Sequence, residues 1–146
     1  MLAYLRLSQI SFRKGHMSDS FDWLKKALSI DSSSIEASSS LGDFYVFTSQ
    51  WADAKTFHEK ANNKGESRQD TRSMLSLGNL YVSNLSLNPK REESLKLAYK
   101  FYHHVLNKDH SNPYAAIGLG IVCVENKLYN VAKDIFSKVI FILFFS

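Results

Sequence analysis

The chain has 146 residues, 45% hydrophobic and 22% charged, a composition that supplies a core and argues against disorder along its whole length. A formal charge of +4 and a pI near 9.1 permit an acidic or nucleic-acid partner without requiring one. The single cysteine, Cys123, excludes an internal disulfide, and the longest purely apolar run, residues 139–145, is far too short to cross a bilayer.

Two prolines and six glycines leave long stretches free of helix breakers. Met1 to Arg6 lacks the charged start and apolar run of a secretory signal, so an intracellular protein is expected, with no membrane partner. Lysines and arginines are interrupted by acids, as at Lys90-Arg91-Glu92-Glu93. That pattern suits a solvated helix surface better than a phosphate-binding stripe.

In chain order, the predicted elements are helical hairpins. The first, about 1–34, carries Tyr4, Leu7, Gly15, Leu24 and Ala27. The second, about 35–70, opens at Ser33 and Glu36, which have capping-box spacing. It continues through Leu41, Gly42, Tyr45, Ala54 and Ala61 into a polar loop, Asn62 to Asp70, around Gly65. The third, about 71–112, holds Leu77, Gly78, Tyr81 and Ala98, with eight extra residues that include the helix-breaking Asn88-Pro89. The fourth, about 113–146, begins at Asn112-Pro113, a cap followed by a first-turn proline, and carries Leu119, Gly120, Ala132 and Phe136. Residues 139–146 form an atypical apolar tail of high β-propensity, and the repeat pattern does not continue through it. A truncated or read-through end is expected there, with a genuine but unusual C-terminus as the alternative.

The series Leu-Gly, aromatic, Ala, Phe matches the 34-residue tetratricopeptide repeat. Ser8 and Ser20 replace its usual Gly and Ala in the first unit. The implied fold is an all-α right-handed solenoid of about four hairpins. Small residues sit where paired helices cross, so Gly78→Leu or Ala54→Leu should cost roughly 1–3 kcal/mol by overpacking. No hairpin buries its apolar face alone, so stacking supplies the core.

No catalytic constellation assembles from the sequence, so no enzyme, cofactor or metal is expected. His103 and His104 are adjacent and point about 100° apart on a helix, unlike an i, i+4 metal pair. Cys123 falls at a packing position. Gly118-Leu119-Gly120 has no preceding strand and lies mid-helix, so it is not a nucleotide loop. The aromatics, among them Phe44, Tyr45, Phe47, Trp51, Phe57, Tyr99, Phe101 and Tyr102, recur at helical spacing and read as core rather than as a base-stacking surface. Direct nucleic-acid binding is therefore disfavoured.

The repeat resemblance implies a groove lined by the fifth, ninth and twelfth residues of each unit: Leu5, Gln9 and Phe12; Ser39, Asp43 and Val46; Leu75, Asn79 and Val82; Ile117, Ile121 and Val124. Such a lining suits an extended segment or a helix of a partner protein. The alternative is that some of these positions pack within the stack. Co-chaperones of the class hold acidic tails with a Lys, Asn, Asn, Lys and Arg clamp. The matching residues are Leu5, Gln9, Ser40, Arg72 and Ser76, and only Arg72 keeps the charge.

Two blocks narrow the resemblance. One runs from Leu75 to Tyr81, through Asn88-Pro89-Lys90, to Ala98-Tyr99-Lys100 and Val105-Leu106. The other joins Ser111 to Ala116, Gly118 to Val122 and Ala132 to Phe136. Together they resemble the tetratricopeptide scaffold subunit of the RNA polymerase II-associated factor complex, over roughly residues 1–138. That resemblance implies a nuclear scaffold for subunits of a transcription elongation complex linked to histone modification. Members of that family are far longer, so the chain is expected to be a fragment. A cytosolic adaptor binding another peptide is the alternative function, and a helical-repeat nucleic-acid binder is the third.

Overall fold

A computed structural model of the chain describes residues 1–63, 70–83, 85 and 89–145. Among these residues there are eight helices and no strand: α1 (Leu2–Arg13), α2 (Met17–Ile30), α3 (Ile35–Phe47), α4 (Trp51–Asn62), α5 (Thr71–Ser83), α6 (Arg91–Lys108), α7 (Pro113–Glu125) and α8 (Tyr129–Phe145). They gather into two compact units, Met1–Ser73 and Met74–Ser146, with the division inside α5. In the first unit α1 pairs with α2, α3 pairs with α4, and α2 packs on α3. In the second, α7 pairs with α8 and α6 packs on α7. There α5 meets α6 through Gly78 against Tyr102 and Tyr81 stacked on Phe101.

The connections inside hairpins repeat one backbone device. Gly15, Ser49 and Lys127 are all left-handed, with φ of 80°, 60° and 62°. At each, the residue's N–H reaches back to the carbonyl three before it, and the next N–H reaches the carbonyl five before. These bonds satisfy the orphan carbonyls at the ends of α1, α3 and α7. Only the first place has the residue that adopts this conformation without steric cost.

The connections between hairpins repeat a second device. Asp31 accepts from the backbone and hydroxyl of Ser33, and Asp109 does the same for Ser111. Hydrogen bonds from Ser111 are the leading cause that holds the Asp109 carboxyl below its usual pKa. Ser34, not Ser33, is the cap of α3, accepting from the Ala37 N–H at 3.2 Å. The capping-box reading was one residue early because Ser33 is already engaged by Asp31. Asn112 caps α7 through the Ala115 N–H, with Pro113 in its first turn. Gly65 and Asn88 lie outside the described residues; Pro89 and Lys90 form a turn before α6.

Inside each hairpin a small residue on the first helix faces a larger one on the second. A Cβ added at Gly42 would come within 2.7 Å of the His58 ring, one at Gly78 within 2.7 Å of Tyr102, and one at Gly120 within 2.4 Å of Phe136. The partner lies sixteen residues on in the second and fourth hairpins and twenty-four on in the third. Counted the same way, Ser8 and Leu24 hold these places in the first hairpin, and both are buried. The alanines Ala54, Ala98 and Ala132 are buried nearby, at 0–2% exposure, as are Ala61 and Ala27. Gly118 is a second close approach: a Cβ there would lie 2.4 Å from Tyr102.

Several expectations need correction. Leu7 is 39% exposed, whereas its repeat counterparts Leu41 and Leu77 are 2% and 1% exposed. Leu41 lies on the face of α3, with Ala37 and Phe44, that shares a core with Leu24 and Ala27 of α2. Phe47, Trp51 and Tyr99 are likewise exposed rather than core. Residues 139–145 are helical, extending α8 to Phe145, where Phe141 and Phe145 stack one turn apart. Nothing in that run breaks a helix, and the turn-to-turn ring contact supports it.

Candidate partner-binding groove

In the first unit, residues far apart in sequence build a buried polar network. The Asp70 carboxylate accepts from the Ser39 hydroxyl at 2.6 Å, the Ser73 hydroxyl at 2.8 Å and the Ser73 backbone N–H at 3.0 Å, all on Oδ2. Burial acts to raise its pKa. The Ser39 and Ser73 hydrogen bonds and the Arg72 charge outweigh burial and hold it below the usual value. With both hydroxyl protons directed at Asp70, Ser39 is left to accept from Arg72 Nε at 3.0 Å, and Ser73 from His58 Nδ1 at 3.2 Å. This fixes the proton of the neutral imidazole on Nδ1.

His58 is fully buried, and its Nε2 has no hydrogen-bond partner. Asp43 Oδ1 stands 3.5 Å from that nitrogen. Burial first, then the Arg72 charge, lowers the His58 pKa to about 4, so at neutral pH this contact is not an ion pair. Ser73, His58 and Asp43 thus lie in the order of a nucleophilic triad. Ser73 is 0% exposed and its proton is committed to Asp70, so no substrate carbonyl reaches it.

Arg72 carries this network to the surface. Its side chain is 49% exposed, with Nε 3.4 Å from Asp43 Oδ2 and Nη2 3.4 Å from the Ser40 hydroxyl. Beside it lies an open depression of about 200 Å³ whose lining includes Gln9, Phe12, Arg13, Asp43, Phe44 and Arg72. Four of the residues read as groove from the sequence, Gln9, Phe12, Asp43 and Arg72, meet here. Phe12 is also held edge-on by Phe44 and Phe47, with centroids 6.4 and 4.8 Å apart. Two arginines, one carboxylate and an aromatic floor can seat a side chain beside an acidic group.

Other groove positions behave differently. Leu5 and Ser39 are buried and cannot line a groove. Val46 is half-buried and does not line the depression. In the second unit Asn79 is exposed and accepts the Tyr102 hydroxyl at 2.7 Å, while Val82 packs against the core of Leu95, Ala98 and Tyr102. Ile121 and Val124 are 37% and 39% exposed. Cys123 is half-buried, His103 exposed and His104 half-buried. Among the described residues no group of three or more His, Cys, Asp or Glu could hold a metal ion, and no helix is long and apolar enough to cross a membrane.

Sequence reasoning missed Arg13, and it missed the whole His58 network. The Ser38-Ser39-Ser40 run on a helix was the available signal, since serines buried mid-helix need acceptors.

Helical hairpins, each closing a larger side chain over a small one, define a tetratricopeptide-repeat protein. Solved structures agree on the fold. The crystal structure of MamA protein matches with a TM-score of 0.76 and 19% identity, over 95% of this chain and 70% of that one. YrrB, described as a TPR protein with an unusual peptide-binding site, matches with a TM-score of 0.50 and 20% identity, over 95% of this chain and 84% of that one. No family model matches the chain.

Along nearly its whole length the chain is homologous to a segment of the CTR9 proteins. It is 34% identical to the Protein CTR9 homolog of Arabidopsis thaliana over 94% of this chain. It is 29% and 31% identical to the RNA polymerase-associated protein CTR9 of Caenorhabditis elegans and of Saccharomyces cerevisiae, over 93% of this chain in each case. The chain spans only 12–13% of the length of these relatives. The resemblance drawn above from the Leu75–Leu106 and Ser111–Phe136 blocks is thereby shown.

Proposed function

We propose that this chain is a protein-interaction segment of a nuclear RNA polymerase II elongation complex, holding other subunits rather than performing chemistry. The observation that carries this reading is the likeness, over nine-tenths of the chain, to relatives named as RNA polymerase-associated. The tetratricopeptide hairpins support it, because such folds present side chains from successive helices to a partner. The sealed Ser73 favours binding over catalysis.

The depression beside Arg72 is the docking point within the first unit, and its occupant is an acidic segment of a partner protein with an apolar side chain. That side chain lies over Phe12, and the acidic group faces Arg13 and Arg72. Arg13 is the informative residue to change because it lies outside the buried network.

The test is capture from nuclear extract on the immobilised chain. Polymerase II and its associated elongation subunits should be recovered, and Arg13→Glu should reduce that recovery by about tenfold or more. Recovery of cytosolic proteins alone would return the chain to the generic adaptor reading. Recovery of the same subunits by Arg13→Glu at full yield would move the docking point away from this depression.

A further inference from the structure

The depression of the first unit carries a negative charge of its own, and the placement of that charge bears on which acidic groups can dock there. Arg13 and Arg72 bring positive charge to the lining, and Asp43 brings negative. Arg13 is exposed and has no ion-pair partner among the described residues. Arg72 is already shared. Asp43 Oδ2 lies 3.4 Å from its Nε, and its charge also acts on the buried Asp70 carboxylate. Two aspartates therefore offset the two arginines, and the lining cation left for a ligand is Arg13.

The donors of Arg72 are partly taken as well. Its Nε donates to the Ser39 hydroxyl at 3.0 Å and its Nη2 to the Ser40 hydroxyl at 3.4 Å. That leaves Nη1 and the second Nη2 hydrogen for a ligand. Asp43 is held where it stands. Its neighbour Gly42 lies against the His58 ring, where an added Cβ would come within 2.7 Å, so α3 cannot shift here without disturbing a buried side chain. The carboxylate stands between Arg72 and His58 Nε2, the latter 3.5 Å away on a neutral ring, and turning from them would give up the Arg72 charge.

We infer that Asp43 makes this depression selective for a carboxylate over a phosphate, so that the acidic segment it receives is read through Glu or Asp and is rejected when its acid is a phosphorylated side chain. The inference rests on the docking reading given above. A carboxylate brings one negative charge, which Arg13 matches. A phosphate brings nearly two at neutral pH. The second meets only Arg72, which already faces Asp43 and Asp70. Like charges pressed together at a partly desolvated surface repel more strongly than in water. Rejection of the wrong acid by a fixed like charge supplies specificity that attraction alone does not.

Fluorescence polarisation on the 146-residue chain tests this with two short labelled peptides that differ at one place. Each carries a phenylalanine followed by either glutamate or phosphoserine. The glutamate peptide should bind the wild type about tenfold more tightly than the phosphoserine peptide. Asp43→Asn keeps the shape and removes the charge. It should tighten the phosphoserine peptide about tenfold and the glutamate peptide by less, so that the preference narrows or inverts. The Asp43 side chain is 41% exposed, so circular dichroism should show the helices unchanged, and Asp43→Ser repeats the test if Asp43→Asn loses helix. Arg13→Glu should weaken both peptides. A wild type that holds the two peptides equally, or prefers phosphoserine, would overturn the inference. So would an Asp43→Asn chain that shifts both by the same factor. In either case the docking reading survives if Arg13→Glu still weakens the glutamate peptide. If neither peptide binds, or if Arg13→Glu leaves binding untouched, the docking point is lost and the selectivity with it.

Discussion

At the same point of the repeat, the unit Met1–Ser73 holds His58 and the unit Met74–Ser146 holds Tyr102. Both rings close over a glycine, Gly42 or Gly78, and both are at most 1% exposed. Their surroundings differ. His58 sits among Ser39, Asp70, Arg72 and Ser73, with one ring nitrogen unsatisfied. Tyr102 lies between Gly78 and Gly118 in a core with Leu85, Leu95 and Val122, and its hydroxyl escapes to Asn79. Burial alone pushes the Tyr102 pKa up to about 12, so that hydroxyl remains a donor at any physiological pH. The repeat thus specifies a volume to be filled opposite a small residue. Which chemistry fills it is decided by the neighbours.

The most forceful way to break this comparison is to empty the volume. Tyr102→Ala should destabilise the chain by about 3–5 kcal/mol, because two glycines then line a void that cannot collapse. His58→Ala should cost less, since it removes a smaller ring and an orphaned nitrogen with it. Urea unfolding of both variants measures the order, and a greater loss at His58 would contradict the volume argument.

Acid separates the two sites next. The His58 pKa drops on folding from 6.5 to about 4, so between those values the unfolded chain binds more protons and stability falls as the pH falls. At about 1.4 kcal/mol for each pH unit the total is about 3 kcal/mol. Asp70, depressed by its hydrogen bonds, adds a loss in the same direction as pH drops through its folded value. His58→Leu should flatten the stability profile between pH 6.5 and 4, while Tyr102→Phe should leave its slope intact. Denaturant midpoints at several pH values read this directly, and equal slopes in wild type and His58→Leu would remove His58 as the source.

A smaller effect attends the hydroxyl itself. Tyr102→Phe keeps the volume and loses the bond to Asn79, for a cost of about 1 kcal/mol. A loss as large as that of Tyr102→Ala would mean the polar contact, not the filled space, dominates this unit. An effect of similar size is a gain. Lys127 occupies the left-handed place that Gly15 holds in the first hairpin, so Lys127→Gly should stabilise by about 1 kcal/mol, read as a raised melting temperature.

Much of this arrangement was legible because the repeat makes the same demand several times. Gly42, Gly78 and Gly120 announce the small side of each contact, and their spacing to Ala54, Ala98 and Ala132 marks the paired helices. The large side was not legible, because Leu24, His58, Tyr102 and Phe136 share a size and a place but no chemical type. Leu7 shows a related limit: its pattern is that of a packed residue, yet it is 39% exposed, since coverage depends on a neighbouring helix and not on the residue's own pattern. Gln9, Phe12, Asp43 and Arg72 could be placed on one face from their repeat positions. The hydroxyls and carboxylate behind them could not, since Ser39, Asp70 and Ser73 converge only in three dimensions.

The eight additional residues between Gly78 and Tyr102 leave the ring seated on its glycine just as the shorter spacing does elsewhere. Helix α5 ends at Ser83 and α6 begins at Arg91, so four of the eight added residues fall between the helices and the other four lengthen α6 ahead of Tyr102. Loop closure grows only slowly more unfavourable with length. This junction is therefore a natural port for engineering: an epitope tag or a fluorophore-bearing peptide spliced there would extend the chain while the paired helices kept their register.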